Sequence, residues 1–180
     1  MRHSQKYIFL IFALSFIIMG LTGCKSGKQK KDAIPERIVN VDIKKDKETF
    51  SKESKKLLEE AMTWLGTPYK YGASEKGRGT DCSGMILMTY LNVTGIKLPR
   101  NSAKQGEFCK KIKKEKVKAG DLVFFATGKD KSKISHVGMM VDKTKFIHAS
   151  SSKGVIISEI TTPYYERSFI MFGRVPGFND

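Results

Sequence analysis

Acidic residues are scarce in this 180-residue chain: 18 Asp and Glu stand against 33 Lys and Arg, a formal net charge of +15. An excess of that size points to an anionic partner or to a lysine-solvated surface, and by itself decides neither fold nor ligand. Nucleic acid is set aside as a partner, because no RNA-reading signature or zinc-finger spacing accompanies the lysines. No internal repeat is visible, so array architectures are not indicated. Only one long apolar run occurs, Ile8 to Met19, and it is too short for a comfortable membrane span. Cysteine is confined to Cys24, Cys82 and Cys109, and histidine to His3, His136 and His148. Any thiol or imidazole chemistry must be built from these six side chains. Apolar residues, at 40%, are present in the proportion expected of a packed core rather than a disordered polymer.

The N-terminus sets the expected compartment. Arg2 and Lys6 precede the apolar run, and Gly20-Leu21-Thr22-Gly23-Cys24 follows it. This is the order of an export signal. Leu21-Thr22-Gly23-Cys24 also resembles a bacterial lipobox, which implies cleavage before Cys24 and acylation of its thiol. Several acyl chains anchor a protein where a single chain binds marginally. The alternative is an ordinary signal peptide with an incidental Cys24. The expected organisation is a lipoprotein signal peptide at 1–23, a lipid-anchored flexible tether at 24–50 and a catalytic domain at 51–180. Lysines of the tether are expected to graze anionic headgroups, at about 1 kcal/mol each when close.

Within the domain, Leu57, Leu58, Ala61, Met62 and Leu65 recur at helical spacing, so a helix is expected over Lys52 to Leu65, stopped by Gly66-Thr67-Pro68. A glycine-punctuated loop leads to a second helix, Cys82 to Asn92, ended by Gly95, and a third is expected over Ser102 to Lys110. The second half is β-rich: Asp121 to Phe125, Val137 to Val141, Lys145 to Ala149, Val155 to Ile160 and Phe169 to Val175. Helices followed by consecutive strands predict an α+β fold, N-terminal helices packed on an antiparallel sheet of about five strands.

Cys82 sits where the glycine-rich loop meets the second helix. Unpaired N–H groups and the positive dipole end at that point favour a thiolate, the reactive form of cysteine. A neighbouring backbone N–H is placed to donate to a developing oxyanion, and Asp81 is placed to cap the helix. Cys109, in a lysine-flanked segment, is expected to be an inert, partly buried thiol. A Cys82–Cys109 disulfide is the structural alternative in an oxidising compartment. His136 and His148 fall on adjacent strands. If the hairpin loop is Asp142-Lys143-Thr144, Val141 pairs with Lys145 and Gly138 with His148. The two imidazoles then share a face as diagonal neighbours, about 7–8 Å apart at Cα. A two-residue loop would put them on opposite faces. The expected mechanism has His136 as base for Cys82 and His148 orienting His136. Zinc held by Cys82 and the two histidines is the chemical alternative.

Six stretches taken in order resemble the NlpC-type cell-wall cysteine peptidases, a compact papain-like family. They are Gly66-Thr67-Pro68-Tyr69-Lys70-Tyr71-Gly72, Thr80-Asp81-Cys82-Ser83-Gly84, Leu98-Pro99-Arg100-Asn101-Ser102, Ala119 to Phe125, His136-Val137-Gly138-Met139 and Phe146-Ile147-His148-Ala149-Ser150. Ala73, where a second glycine is common, and Met85 for a usual leucine depart from the pattern. The resemblance implies a Cys82–His136–His148 triad and no metal or other cofactor. It implies that Tyr71 lines the cleft, that Asp81 and Ser83 help bind substrate, and that Arg100 and Gln105 fill positions often filled similarly. It implies hydrolysis of peptidoglycan stem peptides at D-γ-glutamyl–diamino acid bonds, by an envelope-located monomer held at a membrane through Cys24. An outer-membrane address is suggested by Lys25, which is not the aspartate that often retains lipoproteins at the inner membrane. The loop Ser74 to Gly79, with Lys76 and Arg78, is expected to shape the cleft entrance and attract carboxylates. An amidase or acyltransferase on the same fold, or a non-catalytic wall-binding lipoprotein, are the competing functions.

Overall fold

The computed structural model describes residues 51–178. The expected signal, lipidation site Cys24 and tether lie outside the described residues.

Helix α1, Lys52–Met62, starts where the Ser51 hydroxyl accepts the Ser54 N–H, and it buries Leu57, Leu58 and Ala61. It stops three residues before Leu65. Thr63, Trp64 and Leu65 donate to the carbonyls three residues back instead of four, so the last turn tightens before Gly66. A short hairpin, β1 (Ser74–Glu75) and β2 (Gly79–Thr80), fills the glycine-punctuated loop. Helix α2, Cys82–Thr94, is capped by Asp81 and closed by Gly95 in the left-handed conformation at φ 75°. Helix α3, Ser102–Phe108, is shorter than the sequence suggests, because Cys109 already has extended backbone.

The main sheet has six strands, all neighbours antiparallel: β3 (Lys110–Ile112), β4 (Leu122–Phe125), β5 (His136–Met140), β6 (Lys145–Ser150), β7 (Gly154–Glu159) and β8 (Phe169–Arg174), in the spatial order β3-β8-β4-β5-β6-β7. One strand more than expected is present. The extra strand is β3, whose Lys110-Lys111-Ile112 sequence lacks an apolar alternation. It lies at the sheet edge, where lysine discourages pairing with another chain. A short helix α4, Pro163–Ser168, with Pro at its start, precedes β8.

Both faces of the sheet are covered. Leu122, Phe124, Val137, Met139, Ile147 and Ala149 pack with Leu57, Trp64, Met85, Ile86 and Tyr90 from the helices. Val123, Phe125, Met140, Phe146, Ile160 and Phe172 form a second cluster on the opposite face, against which Tyr165 of α4 packs. Alternation along each strand thus sends His136 and His148 to the face shared with α4, not to the α2 face.

Candidate active site

The hairpin pairs Met139 with Ile147 and Met140 with Phe146, and the Val141 N–H donates to the Lys145 carbonyl. This is the register a three-residue loop requires. Asp142 enforces it by accepting the N–H groups of both Thr144 and Lys145 at 2.7 Å. The consequence is direct contact between the imidazoles: His136 Nε2 lies 2.9 Å from His148 Nδ1, with the rings nearly perpendicular. Gly138 is needed for this approach. A Cβ there would come within 2.5 Å of the Phe146 ring and 3.2 Å of His148 Cβ.

The pairs between β5 and β6 are few, two against six between β6 and β7. Beyond Met139 the two strands part. The Val137 N–H points to the same side as that of Val141 but donates to the Cys82 sulfur instead of a strand. Cys82 is the first residue of α2, so it is the helix N-terminus that meets the backbone of the histidine strand here. Cys82, His136 and His148 line one cavity of about 480 Å³. Its walls also include Tyr69, Ser135, Ser158 and Tyr165.

Cys82 and Cys109 are both free thiols, which removes the disulfide alternative. Burial and the Asp121 charge push the Cys109 thiol up to about 12, as suits an inert core residue. The Cys82 thiol is also pushed up, contrary to the thiolate expected at a helix tip. Burial is the largest cause, and the Asp81 carboxylate adds to it. N–H groups of Val137, Ser83 and Cys82 itself pull the other way without winning. Burial lowers His136 to about 4; burial, then the facing His136, lowers His148 to about 3. Burial thus favours the neutral forms of the thiol and of both imidazoles.

His148 is 1% exposed, and its other nitrogen is held as well: Nε2 lies 2.9 Å from Ser158 Oγ and 3.1 Å from the Tyr165 hydroxyl. If His136 is to accept a proton on Nδ1, its Nε2–H must donate to His148 Nδ1. His148 must then carry its own hydrogen on Nε2, facing Ser158 and Tyr165. Both hydroxyls can accept that hydrogen, so they suit the tautomer the pair needs, and neither residue is legible as functional in the sequence. With both His148 nitrogens engaged, the three side chains do not converge on a common ion, and no His/Cys/Asp/Glu cluster suited to a metal occurs among the described residues.

Residues expected to bind substrate are largely committed to the fold. Arg100 grips both oxygens of Asp81 at 2.8 Å, and also meets Ser83 Oγ at 3.0 Å and the Ala73 carbonyl at 3.1 Å. Asp81 further accepts the N–H groups of Gly84 and Gly72. Burial alone would push the Asp81 carboxyl up; Arg100 and the two N–H groups outweigh it and hold the carboxyl below the ordinary range. Gly84 has to be glycine, because a Cβ would lie 2.4 Å from the Ala73 carbonyl. Gln105, fully buried, ties Ser83 to Pro99. Tyr71, expected to line the cleft, is 88% exposed and is not among the residues lining the cavity; Tyr69, which the sequence did not single out, is in its wall. Lys76 is paired with Glu60 at 2.7 Å and Arg78 faces Glu75. Asp81→Ala is expected to cost about 2–3 kcal/mol, the cap plus the stranded N–H groups, lowering the melting temperature by roughly 10 °C. Arg100→Ala should cost as much or more, because it leaves the 8% exposed Asp81 carboxylate without its counterion, whereas Asp81→Ala leaves a guanidinium that is 41% exposed and returns easily to water. Thermal unfolding followed by circular dichroism checks the order.

The model of the NlpC/P60 family matches residues 66–174, and every side chain of the cavity floor falls inside that span. The chain belongs to the NlpC/P60 family. It is 38% identical over 119 residues to the probable endopeptidase NlpC of Escherichia coli strain K12, covering 66% of this chain and 76% of that one. It is 33% identical over 145 residues to the murein DD-endopeptidase MepS/murein LD-carboxypeptidase of the same organism, covering 81% and 70%. Among solved structures, an NlpC/P60 family protein from Bacillus cereus superposes with a TM-score of 0.63 at 30% identity, covering 71% of this chain and 41% of that one. The α+β architecture is thus that of NlpC/P60 domains.

Proposed function

We propose that this NlpC/P60 protein is a peptidoglycan hydrolase that opens stem peptides by cysteine catalysis, with Cys82 as nucleophile and His136 as base. The observation that carries this reading is the shared cavity of Cys82, His136 and His148, with a His136–His148 contact of 2.9 Å. Binding of substrate places the scissile carbonyl against the sulfur. The Cys82 proton passes to His136 Nδ1 as the sulfur attacks, and the Nε2–H of the new imidazolium stays bonded to His148. N–H groups at the tip of α2 stabilise the oxyanion beside the sulfur. His136 then returns the proton to the leaving amine, and water resolves the thioester.

The bond proposed is D-γ-glutamyl to diamino acid, which differs from the D,D bond in the name of the MepS relative. Digestion of purified peptidoglycan with the full-length protein, and with its Cys82→Ala variant, read by mass spectrometry, distinguishes the two by the new amine end. Release of no stem-peptide fragment would refute the hydrolase reading. The protein is further proposed to be exported and anchored through Cys24. Radiolabelled palmitate incorporated by the wild type and not by Cys24→Ser is the expected result.

The lowered His136 value has a direct consequence for the pH profile. An imidazole is a base only when neutral, so the acid limb of kcat/KM should fall near pH 4. At pH 5 about nine-tenths of His136 is neutral, against about 3% for an ordinary histidine. Activity at pH 5 should therefore stay within about twofold of that at pH 7. Stability runs the opposite way: the unfolded chain takes up protons below pH 6.5 that the native imidazoles refuse, so stability declines as pH falls from about 6.5 toward 4. Assays must be read before unfolding intervenes.

A further inference from the structure

Beyond the sulfur and the imidazoles, the cavity extends to the β6–β7 turn, where Ser150, Ser151, Ser152 and Lys153 line it together with Thr162 and Tyr164. Among the described residues no Asp or Glu lines the cavity, and Lys153 is its only lysine or arginine. Lys153 has no ion-pair or hydrogen-bond partner among the described residues, unlike Lys76 and Arg100. Its backbone is nonetheless fixed. Gly154, at φ 69°, sits so close to the Thr67 carbonyl that a Cβ would lie 2.5 Å from it. Val155 donates to the Thr67 carbonyl at 2.9 Å, and Gly66 donates to that of Val155 at 3.0 Å. The turn is thus bolted to the loop after α1, and it brings an exposed lysine to the wall of a hydroxyl-rich cavity.

We infer that this arm of the cleft is a carboxylate subsite, in which Lys153 pairs with a free carboxylate of the peptide substrate and the surrounding hydroxyls complete its hydrogen bonds. The inference rests on the hydrolase reading for its substrate class and deepens it. It assigns to Lys153 the role the sequence suggested for Lys76 and Arg78, neither of which lines the cavity. Lys153 acts on affinity for one group of the substrate and not on the chemistry at the sulfur.

The test uses the full-length protein and γ-D-glutamyl peptides in which each free carboxylate is replaced in turn by a carboxamide. Binding is measured by calorimetry on the Cys82→Ala background, and cleavage on the background with Cys82 intact. One of the carboxamide replacements is expected to weaken binding about tenfold when Lys153 is present, and to have no effect in Lys153→Met; Lys153→Arg should retain most of the discrimination. The gap should shrink as salt is raised. Equal binding of acid and amide by the wild type, an unchanged gap in Lys153→Met, or no measurable binding overturns the inference. Binding with discrimination but without cleavage upholds the subsite and instead sinks the hydrolase reading.

Discussion

Cys82→Ala is expected to abolish peptidoglycan hydrolysis, with a loss of at least about 10⁴-fold in kcat. Among the described residues no other thiol can substitute. Cys109 is buried in the helix-side core, held up to about 12, and absent from the cavity wall. The substitution removes a small, 8% exposed atom, so the fold should survive nearly unchanged and the loss should appear in kcat with peptide binding preserved. Cys82→Ser should fare little better, because a hydroxyl in the same buried setting is far harder to deprotonate than the thiol. Activity within tenfold of wild type in Cys82→Ala, measured by release of soluble stem peptide, contradicts the assignment.

His136→Ala is expected to lose about 10³- to 10⁴-fold near neutral pH, and the loss should shrink as pH rises. The reason lies in the raised Cys82 thiol. Without an imidazole to take its proton, attack depends on the small ionised fraction, which grows about tenfold per pH unit below the raised titration of the thiol. The wild-type profile lacks this rising limb, because a neutral base is already present from about pH 4 upward. Rate–pH profiles of the two proteins between pH 5 and 9.5 distinguish the base from a merely structural histidine, whose removal would lower the curve by one factor throughout.

Local chemistry made much of this site legible in the sequence. The Asp142-Lys143-Thr144 loop carries its own Asx bonds, so the hairpin register, and with it the meeting of His136 and His148, follows from nearby residues. Asp81 as helix cap and Gly95 as helix stop are equally local. What escaped depends on residues far apart in the chain. Tyr165 reaches His148 from 17 residues away, on a six-residue helix with no periodicity to announce it. Arg100 reads as a substrate ligand until Asp81, 19 residues distant, is seen to occupy it. Strand β3 is a lysine-rich edge whose pairing with β8 only the fold supplies. The pull of burial on the Cys82 thiol escapes the sequence for the same reason. A helix N-terminus is visible in sequence, whereas the depth at which the sheet buries that terminus is not.

Reaction of the full-length protein with a defined stem peptide, quenched within the first turnover and examined by intact-mass and peptide-mapping spectrometry, tests the covalent role of Cys82 most directly. A transient mass increase equal to the acyl half of the peptide, mapped to Cys82, is the predicted result. Hydrolysis proceeding with no adduct on Cys82, and at undiminished rate in Cys82→Ala, would contradict it.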